Sequence, residues 1–181
     1  MATAINFGAE RRMEQDGAGR TKEFSLQFHR SFDAERIRRI LTHPKVYPSI
    51  TDDGCPPHDQ YVIPDPRQFL YVMALDRGEL LGCFAFQAVN SICYDVHTCL
   101  LPHAIFPRGR PLAAARGVVS WIWQNTPCRR IITRVPTCNP LALHFARKAG
   151  MIMFGTNERS WLKGGKLHDQ IYLGISKPEV T

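Results

Sequence analysis

The sequence predicts a mixed α/β (α+β) domain in which a central, mostly antiparallel sheet of six to seven strands is flanked by helices. In the first part of the chain, one helical stretch stands among four strand-like runs, and short polar turns favour antiparallel neighbours. In the last part, strand-like and helical stretches alternate, which favours parallel pairing. The 181 residues, 44% of them hydrophobic, are enough for one such core.

Two segments of different character divide the chain. Residues 1–21 are polar, contain glycine and lack periodicity, so we expect a flexible N-terminal tail. Residues 22–181 are expected to form a single domain. Because no apolar stretch approaches the roughly 18 residues of a membrane helix, and the N-terminal segment has no features of a secretory signal, we expect a cytoplasmic protein.

The first half of the predicted domain begins with the strand KEFSLQFHRSF, in which Phe24, Leu26 and Phe28 alternate with polar residues. A helix follows, because Asp33 is a typical N-cap and the next apolar residues have helical spacing until Pro44. The segment YPSITDDGCPPHDQYVIPDP is too rich in proline and aspartate for regular structure, so we expect a long loop.

Six further strand-like runs and two helices complete the domain. QFLYVMAL and ELLGCFAFQAV form a predicted hairpin, which SICYDVHTCLL extends. FPRGRPLAAARGVVSWIWQNTP is rich in alanine, has helical spacing and ends at Pro127. RRIITRV is a strand of the fully buried kind, CNPLALHFARKAGM is a short helix, and MIMFG and QIYLGI are a last strand pair joined by residues 156–169.

Cysteine content and charge limit the classes of partner. The six cysteines are scattered through apolar contexts, which is typical of reduced, mostly buried thiols. Cys55-Pro-Pro-His58 is half of a metal pattern without its second half, so no metal is expected. The net charge of +7 favours anionic partners, but it is the only support for nucleic acid, and neither nucleic acid nor a membrane is an expected partner.

The short helix CNPLALHFARKAGM has well-defined end signals. Asn139 is an N-cap followed by proline, and Gly150 is a C-terminal stop, so capping explains both ends without a ligand. The segment nevertheless resembles the cofactor-binding helix of the GNAT superfamily of acyl-CoA-dependent N-acyltransferases. The positions that match the family pattern are Asn139, Ala142, Leu143, Phe145, Gly150 and Met151.

A second stretch, RGRPLA, resembles the pyrophosphate loop of the same family, although Pro111 occupies a position that is glycine there. A helix N-terminus offers unpaired N–H groups and a positive dipole end to an anion. An ordinary proline-initiated helix after a basic turn is the alternative. On the resemblance, the groups expected to hold the pyrophosphate, through N–H groups or charge, belong to Arg108, Gly109, Arg110, Leu112 and Ala113.

The resemblance implies a GNAT fold whose sheet is splayed between the fourth and fifth predicted strands, SICYDVHTCLL and RRIITRV. It also implies acetyl-CoA as the cofactor, an Asn139 side chain that bonds to its pantetheine arm, and backbone donors at Cys99, Leu100 and Leu101. The likeness spans about residues 22–177. Its divergent motifs are similar to those of GNAT-like proteins from tailed phages and their bacterial relatives.

Catalysis in this family needs a base for the acceptor amine and commonly a tyrosine that protonates the departing thiolate. On the fourth predicted strand, Asp95 and His97 share one face, and an imidazole accepts a proton near neutral pH. We predict His97 as the base and Asp95 as the second candidate, the alternative being polar residues that simply face solvent. The tyrosine position is Ala146, which leaves His144 and Tyr172 as candidate acids.

The expected partners are a small-molecule or peptide primary amine and a second copy of the chain in a homodimer. The amine pocket of the family includes the loop after the first helix, where Asp52, Asp53 and Asp59 could hold a cation. Two functions remain open. One is an acetyl-CoA-dependent N-acetyltransferase that works by direct attack of the amine, and the other is an inactive GNAT-fold binding or structural module, favoured by Ala146 and Pro111.

Overall fold

The computed structural model describes residues 10–15 and 21–179. The strands are β1 (Glu10–Gln15), β2 (Thr21–Ser31), β3 (Leu70–Asp76), β4 (Glu79–Ala88), β5 (Cys93–Leu100), β6 (Arg130–Pro136), β7 (Ile152–Lys163) and β8 (Lys166–Ser176). The helices are α1 (Ala34–Leu41), α2 (Tyr47–Ile50), α3 (Arg110–Asn125) and α4 (Pro140–Lys148), with a 3₁₀ turn at Pro102–Ile105. None of the helices in the described ranges has the length and hydropathy to cross a membrane.

The eight strands form one sheet in the order β1-β2-β3-β4-β5-β6-β8-β7. Every neighbouring pair is antiparallel except β5 and β6, which are parallel. The predicted mixed, mostly antiparallel sheet is thereby confirmed. It has one strand more than predicted, and that strand is β1.

Strand β1 lies inside the segment predicted to be a flexible tail, so that prediction is wrong for residues 10–15. β1 pairs with β2 from Glu10↔Leu26 to Gln15↔Thr21. An edge strand is held by backbone hydrogen bonds on one side and needs no regular apolar pattern, which explains why composition alone missed it. Residues 1–9 and 16–20 of the predicted tail lie outside the described residues.

Strands β7 and β8 form a long hairpin that turns at Gly164 and Gly165, both of which have positive φ. The prediction that residues 156–169 are a connection is therefore wrong, because most of them extend the two strands. β7 is an edge strand with largely exposed side chains. Polar residues on both of its faces hide the alternation by which a strand is recognised.

The core lies on both faces of the sheet. On one face, α3 packs Val118 and Ile122 against β2 and β4. On the other, α1 packs Ile37, Ile40 and Leu41 against β3 and β4. Helix α4 packs on β6 and β8. Helices thus cover the central strands of the sheet on both faces.

Strands β5 and β6 separate partway along their length. Only residues 93–95 pair with residues 130–132, although β5 continues to Leu100. Just beyond the paired part, the Thr133 hydroxyl donates to the Val96 carbonyl oxygen at 3.0 Å. The predicted splay between these two strands is confirmed, and it opens a passage from one face of the sheet to the other.

Candidate active site

A cleft of about 320 Å³ lies at the splay and is lined by residues from both faces of the sheet. One half is formed by small and apolar side chains of α3 and α4. These are Ala115, Val118, Val119, Ala142, Phe145 and Ala146. An apolar, narrow half of this kind suits a thin aliphatic chain better than a charged group.

The other half of the cleft is polar. Successive side chains of a strand point to opposite faces, and Val96 packs on the α3 side, so His97 faces the opposite side. The polar residues that line this half come from α2, the loop after it, β5, β6, β7 and β8. They are Ser49, Asp52, His97, Arg134, Ser160 and Gln170.

His97 lines the polar half and is half-buried. Burial lowers its pKa from the ordinary value of 6.5; the Asp95 carboxylate opposes that shift, and the Arg134 charge adds to it. The imidazole is therefore neutral at physiological pH and able to accept a proton. The structure brings this predicted base into the cleft.

Asp95, the second candidate base, is buried and ion-paired. One carboxylate oxygen, Oδ2, accepts a hydrogen bond from Arg134 Nε at 2.8 Å and forms an ion pair with Arg134 Nη2 at 2.6 Å. Its other oxygen, Oδ1, has no hydrogen-bond partner among the described residues, and Asp95 does not line the cleft. The structure therefore does not bring this second candidate base into the cleft. Its position instead fixes Arg134 and acts on the pKa of His97.

The backbone donors predicted on β5 need correction. The Leu101 N–H donates to Leu81 O at 2.8 Å and is not free. Because alternate residues of a strand direct their N–H groups to opposite neighbours, the Cys99 N–H also faces β4, where Cys99 pairs with Cys83. The prediction of free N–H groups is therefore wrong for Cys99 and Leu101. By the same alternation, those of Thr98 and Leu100 face the splay.

Asn139 lines the cleft at the end of β6, where it caps α4. Its Oδ1 accepts a hydrogen bond from the Ala142 N–H at 3.1 Å, and its Nδ2 donates to Ser49 O at 3.5 Å. The side chain thus ties α4 to α2 across the mouth of the cleft. Its contact with a cofactor stays a prediction.

Arg110 belongs to the framework and not to the cleft. Its buried guanidinium donates from Nη1 to Glu79 Oε2 and from Nη2 to His103 O, both at 2.7 Å, and lies 3.8 Å from Asp76 Oδ2. Its backbone N–H donates to Pro107 O at 3.1 Å. The prediction that Arg110 holds a pyrophosphate is therefore wrong. Two arginines two positions apart look alike in sequence, and only the fold shows that this one is buried.

At the start of α3, some of the N–H groups predicted to hold an anion are free and others are not. The Ala113 N–H donates to Gly109 O at 2.9 Å, so the prediction of a free donor is wrong there. Within the described part of the chain, the N–H groups of Gly109 and Leu112 have no acceptor, and Arg108 is exposed. None of these residues lines the cleft, but Leu112 lies one turn before the cleft residue Ala115.

The α4 side of the cleft offers no acidic proton donor among its described lining residues. Ala146, at the position of the family tyrosine, is buried and lines the cleft. His144 is exposed on α4, and Tyr172 packs edge-on against Phe154 at a ring distance of 5.9 Å. Neither lines the cleft. The roles of His144 and Tyr172 as general acids therefore stay predictions, and the structure does not place either residue in the cleft.

Of the three loop aspartates, only Asp52 lines the cleft. Asp53 accepts a hydrogen bond from the Gly165 N–H at 2.8 Å, which lowers the pKa of that carboxyl. Lys163 Nζ donates to Thr51 O at 2.7 Å. These contacts fasten the loop after α2 to the β7–β8 turn, so the hairpin and the loop together close the polar half.

Arg134 is the main site residue that the sequence did not indicate. It stands in RRIITRV, which was predicted to be buried throughout, yet its side chain is 38% exposed and lines the cleft. A charged residue near the end of a largely apolar strand could have indicated a site, because unpaired charges are rarely buried and such a residue needs solvent or a partner. Its partner Asp95 is distant in sequence, so the ion pair could not be predicted.

No protein-family model and no curated protein sequence matches the chain. Solved structures are similar in fold. A spermidine N-acetyltransferase from Vibrio cholerae in complex with CoA and spermine matches with a TM-score of 0.68 at 13% identity, over 83% of this chain and 95% of that chain. A probable acetyltransferase matches with a TM-score of 0.61 at 14% identity, over 84% of this chain and 94% of the other. The chain therefore has the fold of the GNAT superfamily.

Proposed function

We propose that the chain is an acetyl-CoA-dependent N-acetyltransferase, in which a primary amine attacks the acetyl group directly and His97 accepts its proton. The observation that carries this proposal is the cleft through the splay, with an apolar half against α3 and α4 and a polar half around a neutral imidazole. A site with two such halves suits two substrates that meet at the sheet. The fold likeness to N-acetyltransferases supports the same function.

The apolar half of the cleft fits the pantetheine arm of CoA. Ala115 and Ala142 leave room on the facing helices, and the N–H groups of Thr98 and Leu100 are directed to the splay. At the start of α3, the N–H groups of Gly109 and Leu112 and the exposed charge of Arg108 would hold the pyrophosphate. When bound, acetyl-CoA supplies an activated thioester whose acetyl group passes to the amine, with the CoA thiol as leaving group.

The chain's own residues would act on the acceptor. The neutral His97 takes a proton from the amine as the new amide bond forms, and the adjacent polar groups of Ser49, Ser160 and Gln170 orient the amine. No described residue on the α4 side replaces the missing tyrosine, so we assign protonation of the thiolate to water. The acceptor would be a small amine, as the 320 Å³ cleft must also hold the end of the cofactor arm.

The experiment that tests this function measures acetyl-CoA-dependent thiol release with a panel of primary amines as a function of pH. We expect kcat/KM to rise with pH through a value below 6.5, because burial and Arg134 lower the pKa of His97 and the base works only when neutral. Asp95→Asn removes the group that raises this pKa, so the acidic limb should move to lower pH. A profile without an acidic limb, or one unmoved by Asp95→Asn, would contradict the role of His97.

The second candidate function is a binding module that keeps the cofactor site without turnover. It is favoured by Ala146 in place of the tyrosine and by Pro111, which removes one N–H from the start of α3. Saturable binding of acetyl-CoA together with no acetylation of any amine in the panel would decide for the module.

A further inference from the structure

We propose that the acceptor amine carries an anionic group, a carboxylate or a phosphate, which Arg134 binds while His97 takes the proton from the amine. This inference rests on the proposed function and names the class of acceptor for it. The observation behind it is the juxtaposition of a partly exposed, rigidly held guanidinium and a neutral imidazole on the same half of the cleft.

Arg134 is held in a fixed orientation. Nε donates to Asp95 Oδ2 at 2.8 Å, Nη2 lies 2.6 Å from the same oxygen in an ion pair, and Asp95 is only 3% exposed. Among the described residues, Asp95 is the only acceptor of the Arg134 side chain, so Nη1 keeps both of its protons available. A guanidinium fixed by a buried carboxylate loses little entropy on binding a second anion.

The position of Arg134 places it beside the reacting amine. Asp95 and His97 share one face of β5, and Arg134 reaches that face from β6 across the splay. Both the Arg134 and the His97 side chains line the same half of the cleft. An amine that gives its proton to His97 would therefore have its anionic group within reach of Arg134.

Among its described lining residues, the polar half offers a polycation a single carboxylate, Asp52. Its Oδ1 accepts a hydrogen bond from the Gly54 N–H at 3.1 Å. Ser49, Ser160 and Gln170 are neutral. The Vibrio cholerae structure of similar fold contains spermine, a polyamine with no anionic group, so the two proteins should differ in acceptor class.

The test compares matched amines in the acetyl-CoA assay: γ-aminobutyrate against its amide, and phosphoethanolamine against ethanolamine. We expect the better anionic amine to exceed its neutral counterpart in kcat/KM by roughly 10- to 100-fold, the factor that charge-assisted hydrogen bonds contribute. The first pair reports a carboxylate and the second a phosphate. Preference for the amide and for ethanolamine, or for a polyamine, would overturn the assignment.

Variants separate binding of the anion from a structural effect. Arg134→Gln should remove the preference by raising KM for the anionic amines relative to that for the neutral ones. Because that change leaves Asp95 without its partner, the double variant Asp95→Asn with Arg134→Gln keeps the buried pair neutral and should show the same loss. Arg129→Gln, which removes an exposed charge just before β6, is the matched control and should keep the preference.

Binding measurements distinguish the failure of this inference from the failure of the proposed function. Calorimetric titration of the anionic and neutral amines into the protein saturated with CoA gives their affinities without turnover. Preferential binding of the anionic amine without acetylation would sustain the Arg134 site and reject the enzyme. Acetylation of neutral amines without any preference would sustain the enzyme and reject the Arg134 site, and absence of binding by both anionic amines would also reject it.

Discussion

His97→Gln is expected to lower kcat by roughly 10²- to 10⁴-fold, the usual contribution of a positioned general base. Glutamine keeps a polar side chain of similar reach but cannot accept and release a proton near neutral pH. Because His97 lies in the polar half of the cleft, away from the residues of α3 and α4, affinity for acetyl-CoA should be unchanged. The measurement is steady-state acetylation of the best amine found, with calorimetric titration of acetyl-CoA alongside.

The matched control is His144→Gln, which changes an exposed imidazole on α4 outside the cleft. It should retain the activity of the unmodified protein. Equal activity of His97→Gln and the unmodified protein would remove His97 from the mechanism. Loss of both activity and acetyl-CoA binding in His97→Gln would instead indicate that the residue supports the shape of the cleft.

Arg110→Ala is expected to have the largest effect on stability, lowering the free energy of unfolding by about 3 to 5 kcal/mol, as removal of one member of a buried ion pair typically does. The change removes the cationic partner of Asp76, which is 8% exposed, and the guanidinium donors to the carbonyl oxygens of His103 and Ala104. Urea denaturation followed by circular dichroism measures this loss.

Arg108→Ala, two positions earlier, is the control for stability. Arg108 is exposed, so the change should alter the free energy of unfolding by no more than about 0.5 kcal/mol and should weaken acetyl-CoA binding instead. We therefore expect Arg110→Ala to lower stability and Arg108→Ala to weaken acetyl-CoA binding. A fully stable Arg110→Ala that no longer binds acetyl-CoA would reverse this assignment.

Much of the fold followed from local signals in the sequence. Alternation at Phe24, Leu26 and Phe28, the Asp33 cap and the Asn139 cap each predicted an element that the structure contains. β1 and the full length of β7 could not be predicted, because these edge strands carry no regular apolar pattern and depend on pairing with residues elsewhere in the chain. The apolar pattern of the sequence thus predicts helices and strands that bury one face in the core. It does not predict edge strands whose side chains are largely exposed.

The site was only partly predictable for a related reason. The sequence pointed to His97 and Asn139, and both line the cleft. It did not distinguish the exposed Arg108 from the buried Arg110, nor did it find Arg134, since these roles depend on partners far away in the chain. Backbone donors on β5 depend on which neighbour each N–H faces, a property of strand pairing that leaves no trace in residue type.

The central claim is that the apolar half of the cleft holds the acyl-CoA arm, and calorimetric titration with acetyl-CoA tests it most directly. The decisive pair of variants lies on one helix: Ala142→Phe fills the cleft, whereas Leu141→Phe changes a neighbour that is 82% exposed. We expect one-to-one binding by the unmodified protein and Leu141→Phe, and binding weakened by at least about tenfold, or 1.4 kcal/mol, in Ala142→Phe. Equal affinities in all three folded proteins, or no binding in any, would contradict the claim.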